Sequence, residues 1–188
     1  MSVSTRPISL AFFYFITLTT VVLDQFTKHW ISREMTRGES RSVIGDFFRL
    51  TYVHNDGAAF GLNLGGRWAF VAVTVAVSLF IIISYSRTEK TPLARWALAL
   101  ILGGAIGNLI DRIRLGEVID FLQFGIGRLY WPIFNVADIA VSIGVGLLAL
   151  HLFRKEPGPD ASTGAPSEDA PPLSDGTRSP HAPTVPSE

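Results

Sequence analysis

Four long apolar stretches punctuate this chain, and the polar segments between them differ in length and character. Pro7–Leu23 runs seventeen residues without a charge; with Asp24 and Lys28 completing its last turns, it predicts a first membrane span over about 7–28. Trp68–Ser86 gives nineteen uncharged residues and a second span, 68–86, with a tryptophan at its edge. The third and fourth stretches predict spans over about 95–113 and 133–153. No small-residue cleavage site follows the first stretch, so it reads as a retained anchor rather than a secretory signal.

Residues 30–67 are too polar to lie in lipid and too long for a tight turn. Within them, Phe47–Val53 is rich in aromatic and β-branched residues, and Asn55-Asp56-Gly57 supplies a turn. The pattern predicts a small sheet or hairpin, within 42–64, lying on the membrane surface. The third stretch carries Gly103, Gly104, Ala105 and Gly107; the fourth carries Ala140 and Gly144 one turn apart. Such small faces admit another helix backbone at close range. Packing among the chain's own helices and a groove for a substrate helix both remain open. Residues 157–188 hold eight of the eleven prolines with few large apolar residues, the composition of a disordered tail. The fold class expected is an all-α polytopic membrane protein, with a membrane domain over 1–156 and that tail.

Composition narrows the chemistry. At 48% hydrophobic and 17% charged, the chain reads as a membrane protein. Its net charge of zero gives no electrostatic case for a nucleic-acid partner. The absence of cysteine removes thiol nucleophiles and disulfides, and the four scattered histidines form no His-Glu-x-x-His pair. No metal or cofactor is expected. Basic residues balance across the loops, so charge alone does not orient the chain.

Two aspartates stand out because they are costly where they sit. Asp120 lies in Val118-Ile119-Asp120-Phe121, and Asp138 follows Phe134-Asn135-Val136-Ala137 at the start of the fourth stretch. An ionised aspartate within a membrane helix costs on the order of 3 kcal/mol, so it usually faces a polar cavity. Two carboxylates on one cavity form an acid/base pair able to cleave peptide bonds with water. Asp111 is the rival to Asp120; adjacent Arg112 favours a charged carboxylate, whereas one member of the pair must hold a proton. Asn108, Asp111 and Arg112 share one face at the end of the third span. Asp138 could also be a helix-start cap, although three or four helical residues are expected before it. Asp24 and Lys28, spaced i, i+4, read as a solvated interface ion pair worth well under ~1 kcal/mol, and Asn55 as a turn residue. The Gly-x-Ser-Gly of rhomboid proteases is absent, and the presenilin-like Gly-x-Gly-Asp has only a near miss at Gly125-Ile126-Gly127-Arg128.

Five blocks in order resemble the bacterial lipoprotein signal peptidases (signal peptidase II): Asp24-Gln25-x-x-Lys28, Asn55–Gly61, Gly107–Arg112, Val118–Phe121 and Phe134–Asp138. The resemblance implies an intramembrane aspartic endopeptidase with Asp120 and Asp138 as its catalytic pair. It further implies that Asp24, Lys28, Asn55, Gly57, Asn108, Asp111, Arg112, Asn135 and Ala137 line or support the site. It implies four transmembrane helices with both termini cytoplasmic, a β-cradle on the outer face, and a lid from part of 114–132. The implied substrate is a prolipoprotein whose cysteine carries a diacylglyceryl group, cut just before that cysteine in the bacterial inner membrane. Membrane lipid is the other implied partner, and a monomer the expected state. The rival reading is a proton-coupled carrier or assembly subunit that uses its intramembrane aspartates as a relay.

Overall fold

The computed structural model describes residues 10–57, 66–87 and 91–154, all within one compact unit, Met1–Lys155. The expected disorder of 157–188 lies outside the described residues, as do residues 58–65 of the expected sheet region. Among the described residues, four helices are long and apolar enough to cross a membrane: α1 (Leu10–Glu34), α2 (Arg67–Arg87), α3 (Pro92–Arg114) and α4 (Val136–Arg154). Pro92 opens α3 at a position where its missing N–H costs nothing. Leu115 and Gly116 close it by donating to the carbonyls of Asp111 and Arg112, and Gly116, at φ +84°, turns the chain toward the sheet.

α3 is the central and most buried helix, in contact with the other three. Lipid tails are as apolar as leucine, so these helices associate through close packing rather than hydrophobic exclusion from water. The glycines make that packing possible. A Cβ on Gly103 would stand 2.6 Å from Thr20 Cβ, and one on Gly144 would stand 2.6 Å from Ile101 Cγ1 and 2.8 Å from the Ala97 carbonyl. A Cβ on Gly104 would collide with the Ala137 carbonyl. Gly103, Gly104 and Gly144 are therefore spent on the protein's own helices, which answers for these glycines the question left open by the sequence. Gly104→Ala is expected to force α4 away from α3 at its first turn. An overpacked contact of this kind costs about 1–3 kcal/mol, and thermal unfolding in detergent should show it as a lowered midpoint.

A four-stranded antiparallel sheet sits at one end of the bundle in the order β1 (Ser40–Ile44), β2 (Phe48–Asn55), β3 (Val118–Ile126), β4 (Leu129–Tyr130). A second core of Ile31, Met35, Tyr52, Ile119 and Phe121 joins it to the end of α1. For this reason α1 runs to Glu34 rather than ending at 28: its last turns leave the apolar span and bury Ile31 against the sheet, while the residues around it stay exposed. The segment 114–132, expected in part as a lid, contributes β3 and β4. Residues 131–134 continue the pairing, with Phe134 exchanging backbone bonds with Leu122, so α4 starts at Val136 rather than 133.

The β2–β3 register carries one irregularity with a consequence for side-chain direction. Leu50 faces Leu122, but Val53 faces Asp120, so β2 has one extra residue between them. Because side chains alternate along a strand, this bulge changes which β2 residues share a face with Asp120. Without it, Tyr52 would stand opposite Asp120 and Asn55 would point to the other face. With it, Val53 and Asn55 lie on the Asp120 side.

Candidate active site

Asp120 and Asp138 line one cavity of about 610 Å³, together with Val53, Asn55, Gly57 and Arg112. Asp120 arrives on β3 and Asp138 on the first turn of α4. Both oxygens of each carboxylate are held. Asp120 Oδ1 accepts from Asn135 Nδ2 at 2.7 Å and Oδ2 from Asn55 Nδ2 at 2.9 Å. Asp138 Oδ1 accepts from Asn108 Nδ2 at 2.8 Å and Oδ2 from the Asn135 backbone N–H at 3.1 Å.

Three asparagines supply these donors, and each has its amide orientation fixed from behind by a group that can only donate. The Gly57 N–H bonds Asn55 Oδ1 at 2.9 Å, the Asp138 N–H bonds Asn135 Oδ1 at 3.0 Å, and the Lys28 ammonium bonds Asn108 Oδ1 at 2.9 Å. With the carbonyl ends pinned, the NH₂ ends face the aspartates. Asn55 is thus both the turn residue read from the sequence and a ligand of Asp120. Gly57 is required at φ +94°, where a Cβ would also stand 2.5 Å from the Phe70 ring.

Asp138 and Asn135 bond each other reciprocally, each side chain accepting the other's backbone N–H, in the manner of a capping box. Only Val136 and Ala137 precede Asp138 in the helix, fewer than expected. Asp138 caps through Oδ2 and also borders the cavity, so the two readings of Asp138 are compatible.

Asp24 and Lys28 depart from the solvated pair expected of them. Both are buried, with Lys28 Nζ 2.8 Å from Asp24 Oδ2 and 2.9 Å from Asp111 Oδ2. The sequence could not reveal this, because the partner that encloses them comes from α3, more than eighty residues away. Asp111, the rival candidate, does not line the cavity shared by Asp120 and Asp138. It accepts from Lys28, from Gln25 Nε2 at 3.0 Å and from the Ile119 N–H at 3.2 Å. Asp24 Oδ1 accepts the Ala137 N–H at 3.0 Å, which is the part that Ala137 plays. Arg112 does not pair with Asp111; its guanidinium lies over the Phe70 ring, 5.4 Å from the centroid, and borders the cavity.

Burial pushes the Asp120 carboxyl up to about 6, and the nearby charge of Asp138 pushes the same way, against the lowering effect of the Asn55 and Asn135 bonds and of Lys28. A carboxyl that holds its proton to higher pH, beside a second carboxylate, is the arrangement of an acid/base pair. Sequence reading missed a hydrogen-bonded chain at the cavity wall, where His54 Nδ1 meets Glu117 at 2.8 Å and Nε2 meets the Tyr52 hydroxyl at 2.8 Å. It also missed Gln25, although the spacing Asp24-Gln25-x-x-Lys28 holds it.

The chain is similar to known proteins along most of its length. A family profile described as signal peptidase (SPase) II matches residues 16–154. The lipoprotein signal peptidase of Brevibacillus brevis is 49% identical over 142 residues, covering 75% of this chain and 94% of that protein. The lipoprotein signal peptidase of Symbiobacterium thermophilum is 50% identical over 143 residues, covering 75% and 93%. A bacterial membrane enzyme solved by the in meso method at 1.9 Å superposes with a TM-score of 0.74 at 32% identity, covering 80% of this chain and 98% of that one.

Proposed function

The chain belongs to the signal peptidase II family, and from that membership we propose that Asp120 and Asp138 are the pair with which it cuts its substrate. It is an aspartic peptidase of bacterial membranes that removes signal peptides from prolipoproteins. One observation carries the assignment of the pair: these two carboxylates border a single cavity with every oxygen oriented by a fixed donor, and Asp120 holds its proton up to about 6.

The mechanism follows from two coupled carboxylates sharing one proton. Ionised Asp138 takes a proton from a water as its oxygen bonds the scissile carbonyl carbon. Protonated Asp120 gives its proton to the carbonyl oxygen. Collapse of the resulting diol breaks the C–N bond, Asp138 delivers its proton to the leaving amine, and Asp120 recovers one from the diol. Arg112 and the asparagines keep the carboxylates apart from lipid and in register.

The substrate is a diacylglyceryl-modified prolipoprotein cut just before its modified cysteine, with the acyl chains left in the bilayer. Its membrane part approaches the side of the bundle where Val73, Val77, Ala105 and Val141 border a cleft of about 180 Å³ that reaches Arg112. The peptidase domain spans 1–156, works as a monomer among membrane lipids, and has both termini in the cytoplasm, which sets the sheet on the outer face. Purified protein in detergent, given a lipid-modified prolipoprotein and no ion gradient, is expected to release the signal peptide. No shortening under those conditions would favour the gradient-dependent carrier instead.

A further inference from the structure

The mechanism leaves three buried charges unused. Lys28, Asp24 and Asp111 are at most 2% exposed and sit together beneath the cavity. Burying such a cluster is a poor route to stability, since desolvation offsets most of the attraction and a well-packed apolar replacement often does as well. Its connections suggest another use. Asp24 Oδ1 grips the backbone N–H of Ala137, the residue before Asp138, at 3.0 Å. Asp111 Oδ2 grips the backbone N–H of Ile119, the residue before Asp120, at 3.2 Å. Lys28 Nζ lies between the two carboxylates at 2.8 and 2.9 Å, and its remaining proton goes to Asn108 Oδ1, whose amide holds Asp138.

We propose that the Lys28 ammonium is a spacer that sets the separation of Asp120 and Asp138, acting through Asp24 and Asp111 on the backbone just ahead of each. This makes Lys28 a positioning residue, and it rests on the reading of that pair as catalytic. The ammonium suits the task because it is a compact charge with three donors, and all three are engaged. A guanidinium carries the same charge in a longer planar fork, which cannot occupy the same slot between two carboxylates and an amide.

Lys28→Arg therefore separates charge from spacing. A displacement of about 1 Å at reacting groups costs on the order of 10²-fold in rate, so kcat is expected to fall about that far while KM stays within about threefold. The pH profile should move as well. The groups around Asp120 are Lys28 of α1, His54 of β2, Asp56 of the following turn, Arg112 of α3 and Asp138 of α4, and none changes formal charge in this variant. A wider gap weakens the repulsion between Asp120 and Asp138, so the alkaline limb of kcat/KM should shift to lower pH. A purely structural role would lower yield or melting temperature and leave that limb in place.

Should Lys28→Arg not fold, the neutral triple variant Lys28→Met/Asp24→Asn/Asp111→Asn keeps the shapes and an acceptor oxygen at each grip but removes the ionic tie. It should fold, with the same loss in kcat. Turnover within threefold of the native enzyme in either folded variant overturns the spacer, as does a loss carried wholly in KM. Asp138→Asn, assayed alongside, keeps the two ideas distinct: an active Asp138→Asn rejects the catalytic pair itself, whereas an inactive one beside a fully active Lys28→Arg rejects only the spacer.

Discussion

Asp138→Asn is expected to lower kcat by about 10⁴-fold, the upper range for removing a general acid/base group. The substitution keeps volume and shape but leaves a group that cannot take a proton from water. Its structural cost is small and can be anticipated from the contacts. Asp138 accepts two hydrogen bonds, from Asn108 Nδ2 and from the Asn135 N–H; an amide retains one acceptor and sets its NH₂ against a donor. Losing one such bond costs about 1–3 kcal/mol, which a folded membrane domain with this much helix packing should survive. Substrate binding should persist, because the cleft proposed for the membrane part of the substrate lies along the bundle rather than at this oxygen. Incubating the purified variant with lipid-modified prolipoprotein and following the size of the protein on a gel measures the loss. Turnover within tenfold of native would mean that Asp138 is not the base. Asp120→Asn should fail comparably, since protonation of the carbonyl oxygen is then lost.

The four helices were legible because each depends on a one-dimensional property, a run of apolar residues long enough to cross a bilayer. Asp120 and Asp138 were legible for the converse reason: each is a carboxylate in a context that makes a carboxylate expensive. What could not be read depends on which segments meet. Lys28 looks like any interface lysine until Asp111 and Asn108 close over it from α3. Gly103, Gly104 and Gly144 present the same small stripe whether a foreign helix or a native one fills it, and only the position of the Ala137 carbonyl and of Ile101 decides. Residues 118–126 alternate poorly and contain a glycine, so their place as the third strand depends on β2, more than sixty residues earlier. The bulge that turns Asn55 toward Asp120 has no sequence signal at all, because a single inserted residue in a strand changes side-chain direction without changing composition.

Asp120 also ties activity and stability to pH in the same sense, both declining as pH rises, a combination that isolates its role. In the free enzyme the group holds its proton up to about 6, against 3.8 for an unperturbed aspartate. Because the mechanism needs that proton, kcat/KM should fall about tenfold per pH unit above that value. The limb for kcat should lie at higher pH, since a bound peptide drives further water from the cavity and disfavours the charged form. For stability, the folded state binds the proton more tightly than the unfolded chain, so the contribution is complete below pH 3.8 and is lost as pH rises through about 6. A difference of that size corresponds to about 3 kcal/mol at 1.36 kcal/mol per pH unit. Unfolding free energy or melting temperature in detergent should therefore decline across that window, more steeply for the native protein than for Asp120→Asn. Groups present in both proteins contribute equally, Glu39 among them, its carboxyl held below the usual value by the Thr36 N–H and Arg41. The difference between the two proteins cancels their share and leaves that of Asp120. Parallel pH slopes in the two would show that Asp120 does not hold its proton above the ordinary range, and the assignment of acid to Asp120 and base to Asp138 would then have to be reversed.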